Sequence, residues 1–289
     1  MFGRNEYRDI NVLLNRKFEE KKRLIAVHRC AWGGNVCPSS RQAFIVGQKL
    51  GGDMMEIDVS KAADGKLWVF HDGTEPHHFH IDRNIETMSS EEIKELEFFN
   101  SIGEPSGKHL QTLDELLSWI GDEVLFNIDR GWTKLHELDE LLQSHPEKIH
   151  QALIKTPVAI EYLDFFTDCP RKYMYMPIVK SMEDVRLCLS YADKINMVGM
   201  EVIALTPDCD LFQDETIDFI RSKGLFVWVN SITLGKKDSF RLFSYLDDDK
   251  AIMDGEESSW GEMFEKNIDV IQTDWPALLK PYRDAYFGL

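Results

Sequence analysis

Basic side chains are in short supply. The 289-residue chain sets 33 lysines and arginines against 50 aspartates and glutamates, a net charge of −17. A balance this acidic argues against nucleic acid as a partner and against a basic membrane-binding face. It does not exclude a phosphate-bearing substrate, because a bound metal inverts the local field. Cysteine is sparse as well. Five residues, an odd number, fit free thiols in a reducing, cytoplasmic setting better than a disulfide framework. Cys30 and Cys37, which flank one loop, are read as thiols and not as a pair. No apolar run approaches membrane-spanning length, so no stable membrane insertion is expected. The polar, charged stretch Met1–Asn11 lacks the apolar core of a signal peptide. Linkers and low-complexity tracts are missing too, and no repeat appears beyond strand–helix alternation.

What is there centres on Glu56–Asp72. Met54, Met55, Ile57 and Val59 are interrupted by Glu56 and Asp58, a period-two pattern that fits a strand and sends both carboxylates to one face. Asp64-Gly65 is a turn signal, so Met54–Val59 and Leu67–Phe70 are expected to pair as a hairpin. That hairpin returns His71-Asp72 to the neighbourhood of Glu56 and Asp58. Acids crowded on one rim repel unless a proton or cation joins them, and a hard divalent cation with oxygen ligands suits the place.

The chain in order reads as alternating strands and helices. Asp9–Arg23 is an amphipathic helix placed to plug one end of the fold. Strands are expected at Leu24–Val27, at the Glu56 stretch, and at Val124–Asp129, Ala152–Lys155, Tyr173–Ile178, Met200–Ala204, Leu225–Asn230 and Asn267–Gln272. Helices are expected at about Ser40–Leu50, closed by Gly51-Gly52, and at Thr112–Ile120, Leu135–Gln143, Ile160–Phe166, Ser181–Tyr191, Asp214–Lys223 and Phe240–Leu246. Asp247-Asp248-Asp249 reads as a turn. Gly73–Lys108 is a loop-rich insertion carrying one helix, Ser89–Leu96. Eight parallel strands make an α/β TIM barrel over the single domain 1–289, provided that Leu67–Phe70 is an insertion hairpin and not a ninth barrel strand. Alternation by itself also permits a doubly wound open sheet.

The barrel reading expects chemistry at the C-terminal strand ends. His28-Arg29 closes the first strand, Glu56 and Asp58 the second, Asp129-Arg130 the third and Lys155 the fourth. Trp228 and Asn230 close the seventh and Thr273-Asp274 the eighth. Glu201 falls early in the sixth strand and reads as structural.

These residues resemble the signature of the glycerophosphodiester phosphodiesterases: His28-Arg29, Glu56-x-Asp58 and His71-Asp72, then Leu110–Leu117, Phe126–Asp129, Val227–Asn230 and Val270–Pro276. The resemblance runs from about Leu24 to Pro276. It implies a TIM barrel that hydrolyses a glycerophosphodiester, a small-molecule substrate, to glycerol 3-phosphate and an alcohol. It also implies one divalent cation, Mg2+ or Ca2+, held by Glu56, Asp58 and Asp129. His28 and His71 would be the acid–base pair and Arg29 the phosphate contact. Physical chemistry points the same way. Charge grows on the non-bridging oxygens during attack, which a cation and a guanidinium stabilise. Two imidazoles suit the two proton transfers because they titrate near neutrality.

The sequence departs from the family pattern in four places. Cys30 stands where glycine is usual, and Pro38-Ser39-Ser40 replaces Glu-Asn-Thr/Ser, with Asn35 a possible stand-in for the lost amide. Asp129 replaces a glutamate, and Gly131 replaces a lysine whose charge would fall to Arg130 or Lys155. Trp228 reads equally as a floor under the glycerol carbons or as barrel packing, and Asp72 as an orienting group. His77-His78-Phe79-His80 lacks the spacing of a closed zinc site and reads as a loop over the rim. Two alternatives stay open. One is a lysophospholipid-type phosphodiesterase with an apolar groove near Phe98-Phe99 and Phe79. The other is a barrel that binds a phosphorylated ligand without turnover.

Overall fold

Each barrel strand is an apolar run bounded by polar or turn residues. In the computed structural model, which describes residues 1–235 and 241–289, these runs pair edge to edge into a ring. The strands are β1 (Leu24–Val27), β2 (Met54–Lys61), β3 (Leu67–Val69), β4 (Glu97–Phe99), β5 (Pro105–His109), β6 (Leu125–Asp129), β7 (Ala152–Pro157), β8 (Met174–Val179), β9 (Gly199–Val202), β10 (Phe226–Asn230) and β11 (Val270–Thr273). Eight of them, β1, β2 and β6 to β11, pair in parallel, and β1 closes the ring by bonding both β2 and β11. This is a TIM barrel. The open-sheet alternative fails because an open sheet has no β1–β11 seam. β3 lies outside the ring, antiparallel to β2 with Val59 opposite Val69, as the Asp64-Gly65 turn implies.

Period-two alternation divides each strand's side chains. Outward-facing Ile25, Met55, Ile57, Phe126, Ile154, Val227 and Ile271 pack under the surrounding helices. Inward-facing Leu24, Met54, Leu125, Leu153, Met174, Phe226 and Val270 fill the lower barrel. The amphipathic helix Val12–Lys21 closes that lower end with Leu13, Leu14 and Phe18. Phe18 and Phe226 have ring centres 5.7 Å apart. Phe226 is admitted by a glycine: a Cβ at Gly199 on the adjoining strand would sit 2.3 Å from its ring.

Several helices carry the caps their sequences announce. Ser40 accepts from Ala43 N–H ahead of Arg41–Lys49, Ser181 accepts from Asp184 N–H, and Thr112 with Glu115 forms a capping box. The insertion holds more structure than its composition suggests. Its expected helix shortens to Ser90–Lys94 behind a Ser89–Glu92 capping box, and β4 and β5 form an unforeseen antiparallel hairpin. The helix expected at Phe240–Leu246 begins outside the described residues. Its described remainder makes bridges at Arg241 and Phe243. The Asp247 turn is an N-cap that opens a helix over Asp248–Asp254. A further helix, Pro276–Phe287, ends the chain. Its buried Arg283 bonds Asp53 and the carbonyl of Arg23.

Candidate active site

Polar side chains take over from apolar ones as the strands rise through the barrel. Glu56 and Asp58 stand two residues apart on the inner face of β2, each at most 2% exposed. The β2–β6 register sets Asp58 beside Asp129. One carboxylate oxygen from each of Glu56, Asp58 and Asp129 lies within 4.8 Å of the others. Burial, and then the charge of Asp58, pushes Glu56 well above the carboxylate range, and Asp58 is raised too, burial being the main cause. Glu56 Oε1 and Asp58 Oδ2 are buried without a hydrogen-bond partner among the described residues, as are Asn127 Oδ1 and Gln272 Oε1. Orphaned oxygens this concentrated are rare in a folded interior. All are hard donors, the set that Mg2+ or Ca2+ takes.

Cationic groups ring the acids. The Arg29 backbone N–H donates to Glu56 Oε2 at 2.7 Å, and its guanidinium Nε lies 3.3 Å from Asp58 Oδ2. Arg29, Cys30 and Arg130 all hold left-handed backbone, with φ of 49°, 58° and 58°. At Cys30 this is where the resemblance expects glycine, so the thiol side chain is accommodated at a strained position. The turn brings Cys30 N–H to the Glu56 carbonyl at 3.2 Å. Lys155 Nζ contacts Asp129 Oδ2 at 2.9 Å and Glu201 Oε2 at 3.1 Å. Burial opposes its charge, but Asp129, Glu201 and Glu56 outweigh that and raise its pKa. Arg130 turns elsewhere, donating Nε–H to Asp72 Oδ1 at 2.9 Å.

The two imidazoles face the same opening, along with Arg29, Asp58, Asp129, Arg130, Lys155 and Glu201. His71 Nδ1 lies 2.8 Å from the Asp72 carbonyl, an acceptor only, so Nδ1 carries a hydrogen and the neutral ring presents its lone pair at Nε2. His28 Nδ1 pairs with Asp274 Oδ1 at 2.9 Å. Burial lowers the His28 pKa, but the Asp274 hydrogen bond and the charge of Glu56 overcome this and raise it. Asp274 is positioned by Asp248, which is buried beneath it and accepts its backbone N–H at 3.0 Å together with the Thr273 hydroxyl.

The structure thus brings His28, Arg29, Glu56, Asp58, His71, Asp129, Arg130 and Lys155 to one mouth. Trp228 is placed differently. Its indole is fully buried among the lower barrel residues, beneath the mouth, and donates to Asn230 Oδ1 at 3.1 Å. It sits under Lys155, with Nζ 5.7 Å from the ring centre. Asn35 does not replace the missing amide: it is exposed and exchanges bonds with Asn100 and Ser106 in the insertion. Phe79 and Phe98 are buried against Phe70 in the insertion's own core, and Phe98 also edges a small pocket beneath the first loop, away from the acids. Glu201 is the reverse case. Read as structural, it holds Lys155 and accepts from Asn230 Nδ2 at 2.7 Å. The Asp274 partnership with His28 follows from barrel closure, since Val27 registers with Thr273 across the seam.

Residues 28–198 match the profile of the glycerophosphoryl diester phosphodiesterase family, and residues 175–283 match that of a domain of unknown function. A glycerophosphodiester phosphodiesterase of Caldanaerobacter subterraneus subsp. tengcongensis is 34% identical over 110 residues, 37% of this chain and 45% of that protein. The chain therefore matches under half the length of this curated relative. A solved glycerophosphoryl diester phosphodiesterase of Parabacteroides distasonis superposes with TM-score 0.72 at 17% identity, covering 92% of this chain and 87% of the other. An Oleispira antarctica phosphodiesterase, solved with sn-glycerol-3-phosphate, superposes with TM-score 0.65 at 14% identity over 90% and 96% of the two chains.

Proposed function

The chain belongs to the glycerophosphoryl diester phosphodiesterase family, and on that premise we propose that it hydrolyses glycerophosphodiesters to glycerol 3-phosphate and an alcohol with the help of one divalent cation. The whole of residues 1–289 serves as one catalytic domain, with about 73–108 as its insertion. The observation that carries this reading is that buried Glu56 Oε1 and Asp58 Oδ2 receive no hydrogen bond among the described residues, Asp58 Oδ2 meeting only the Arg29 charge, with Asp129 in reach. Charge supports it. Glu56, Asp58, Asp129 and Glu201 bring four carboxylates against the two cations Arg29 and Lys155, leaving two negative charges for Mg2+ or Ca2+ to balance. When bound, the cation would polarise the phosphoryl group and offset the charge that grows on it.

The chain's own residues do the rest. Arg29 meets a non-bridging phosphate oxygen, and Lys155 adds a second positive charge from the neighbouring strand, in place of the lysine that Gly131 lacks. Arg130 is held to Asp72 and shapes the rim. His71, its Nδ1–H held by the Asp72 carbonyl, accepts the proton of the attacking hydroxyl at Nε2. His28, whose protonated form the Asp274 hydrogen bond favours, donates from Nε2 to the departing alkoxide. The test is product release from several glycerophosphodiesters with and without a chelator, and with His71→Ala. Loss of turnover in both arms is expected. Turnover that ignores the chelator or survives the substitution overturns the mechanism.

One observation favours a second reading, a phosphoester-binding barrel without turnover. Both Asp129 oxygens are already occupied, Oδ1 by the Arg130 N–H at 2.7 Å and Oδ2 by Lys155. A glycerophosphodiester that raises the melting temperature but yields no product in the same assay selects it.

A further inference from the structure

A second cavity opens beside the mouth. Its volume is about 340 Å3, room for a group of several heavy atoms. A single wall divides it from the site. Arg29 and His71 line a narrow cleft together with Pro38 and His78, and those last two also line the cavity. Its other walls come from the first loop, which carries two of the chain's departures from its family pattern, and from the insertion.

The lining has a definite chemistry. Trp32 presents its indole there, 47% exposed. Phe99 forms another wall and is stacked by His80, whose ring lies 3.8 Å away in a nearly parallel plane. His80 holds left-handed backbone, φ 55°, to make that stack. The side chains of His77, His80 and Ser101 have no hydrogen-bond partner among the described residues, so their donors and acceptors remain available to a ligand. His78 is buried, and burial first, then the charges of Arg29, His77 and His71, drives its pKa down to about 4, so the ring is neutral. None of the lining residues is an aspartate, glutamate, lysine or arginine.

This combination discriminates among alcohols. An ammonium head group needs a carboxylate to replace its hydration, and none lines the cavity. A quaternary ammonium wants a cage of aromatic faces, but Phe99 gives one face to His80. An acyl chain wants a continuous wall of aliphatic and aromatic carbon, and here Trp32, Val36, Pro38 and Phe99 are interrupted by His77, His80, Asn100 and Ser101. A neutral polyol satisfies the lining: its C–H face lies on the Trp32 indole while its hydroxyls bond imidazole and Ser101 hydroxyl groups that act as donor or acceptor. We infer that the cavity bounded by Trp32, the His77–His80 loop and Ser101 is the subsite for the leaving alcohol and selects an uncharged polyol. The inference rests on the proposed hydrolase reading.

The experiment compares kcat/KM for glycerophosphoinositol, bis(glycero)phosphate, glycerophosphocholine and glycerophosphoethanolamine. The polyol diesters are expected to lead by about 10-fold or more, the scale at which a few specific contacts discriminate. Trp32→Ala is expected to reduce that preference to within about 3-fold, through a higher KM for the polyol diesters. Trp32→Phe, which keeps an aromatic face, restores most of it. An equal or greater rate on the choline or ethanolamine diester overturns the subsite, and so does a preference untouched by Trp32→Ala. Should no diester be turned over, the hydrolase reading falls, and saturation-transfer NMR with glycerophosphoinositol judges the subsite alone. Transfer to the inositol ring from the wild-type protein, lost in Trp32→Ala, supports it; no transfer to the ring overturns it.

Discussion

The two ends of one barrel obey opposite rules although the same strands build both. On β2, Met54 points into the lower barrel and Glu56 and Asp58 into the upper. On β6 the sequence is Leu125, Asn127, Asp129, on β7 Leu153 then Lys155, and on β11 Val270 then Gln272. The lower layer buries carbon against carbon and against the Val12–Lys21 helix, each side chain stabilising the fold by ~1.5–3 kcal/mol. The upper layer buries carboxylates beside one another, which costs stability until a cation arrives. Stability and reactivity are therefore separated along the barrel axis, about two residues of strand apart.

Substitutions at the two ends are the most direct way to break that separation. Glu56→Gln keeps an acceptor for the Arg29 N–H but removes a charge. Turnover is expected to fall at least ~10²–10³-fold, the scale for losing one preorganised electrostatic group. At pH 8.5, above the folded pKa of Glu56, the melting temperature in chelator should hold or rise, because one buried like charge is gone. Leu14→Ala, in the fully buried floor, should do the opposite: a loss of ~2–5 kcal/mol in urea unfolding, with kcat unchanged at temperatures where the variant is folded. Equal damage to stability and turnover by both variants would show that the ends are not separate.

The lower end was the more legible in sequence. Apolar runs with the right period mark β1, β2 and β6 to β11 whatever their partners, because both faces of a parallel barrel strand are buried. The site was legible where it follows from one strand's alternation, as for Glu56 and Asp58. It was less so where two strands must meet. Glu201 looked structural because Lys155 and Asn230 lie on other strands, and Asp274 carried no role until barrel closure set it against His28. β4 and β5 escaped notice because Pro105–His109 has no strand pattern and is exposed on alternate residues. It is held by its partner and by Glu97 accepting the Gly107 N–H. The Asp247–Asp249 run read as a turn because capping acids and turn acids are the same residue types.

The charge held at the upper end gives a pH test of intermediate size. In chelator, the folded-state pKa of Glu56 is raised to about 8, burial being the first cause, from an ordinary 4.5. A raised folded pKa means a contribution fully present below the unfolded value and lost as pH rises through the folded one. The chelated protein should thus become less stable between about pH 4.5 and 8, where the unfolded carboxyl has given up its proton and folded Glu56 still holds one. A divalent cation favours the ionised form and reverses the loss. Added Mg2+ or Ca2+ should raise the melting temperature by several degrees at pH 8.5 and by about 1 °C or less at pH 5. A cation effect of equal size at both pH values would place the binding elsewhere than at the buried acids.

The smallest effect probes the boundary between the two layers. Glu201→Gln keeps the acceptor for Asn230 Nδ2 but removes the charge 3.1 Å from Lys155 Nζ. Lys155 would then have one anionic contact, Asp129, in place of two, and its ammonium would be drawn closer to the cation's ligands. Turnover is expected to fall by ~10-fold, about 1.4 kcal/mol, and the apparent affinity for the divalent cation should weaken with it, because the lysine competes for Asp129. Denaturant stability should change by less than ~1 kcal/mol, since the replacement is isosteric and the floor beneath it is untouched. Weaker cation affinity with stability intact ties Glu201 to the upper layer; a stability loss on the scale of Leu14→Ala assigns it to the floor.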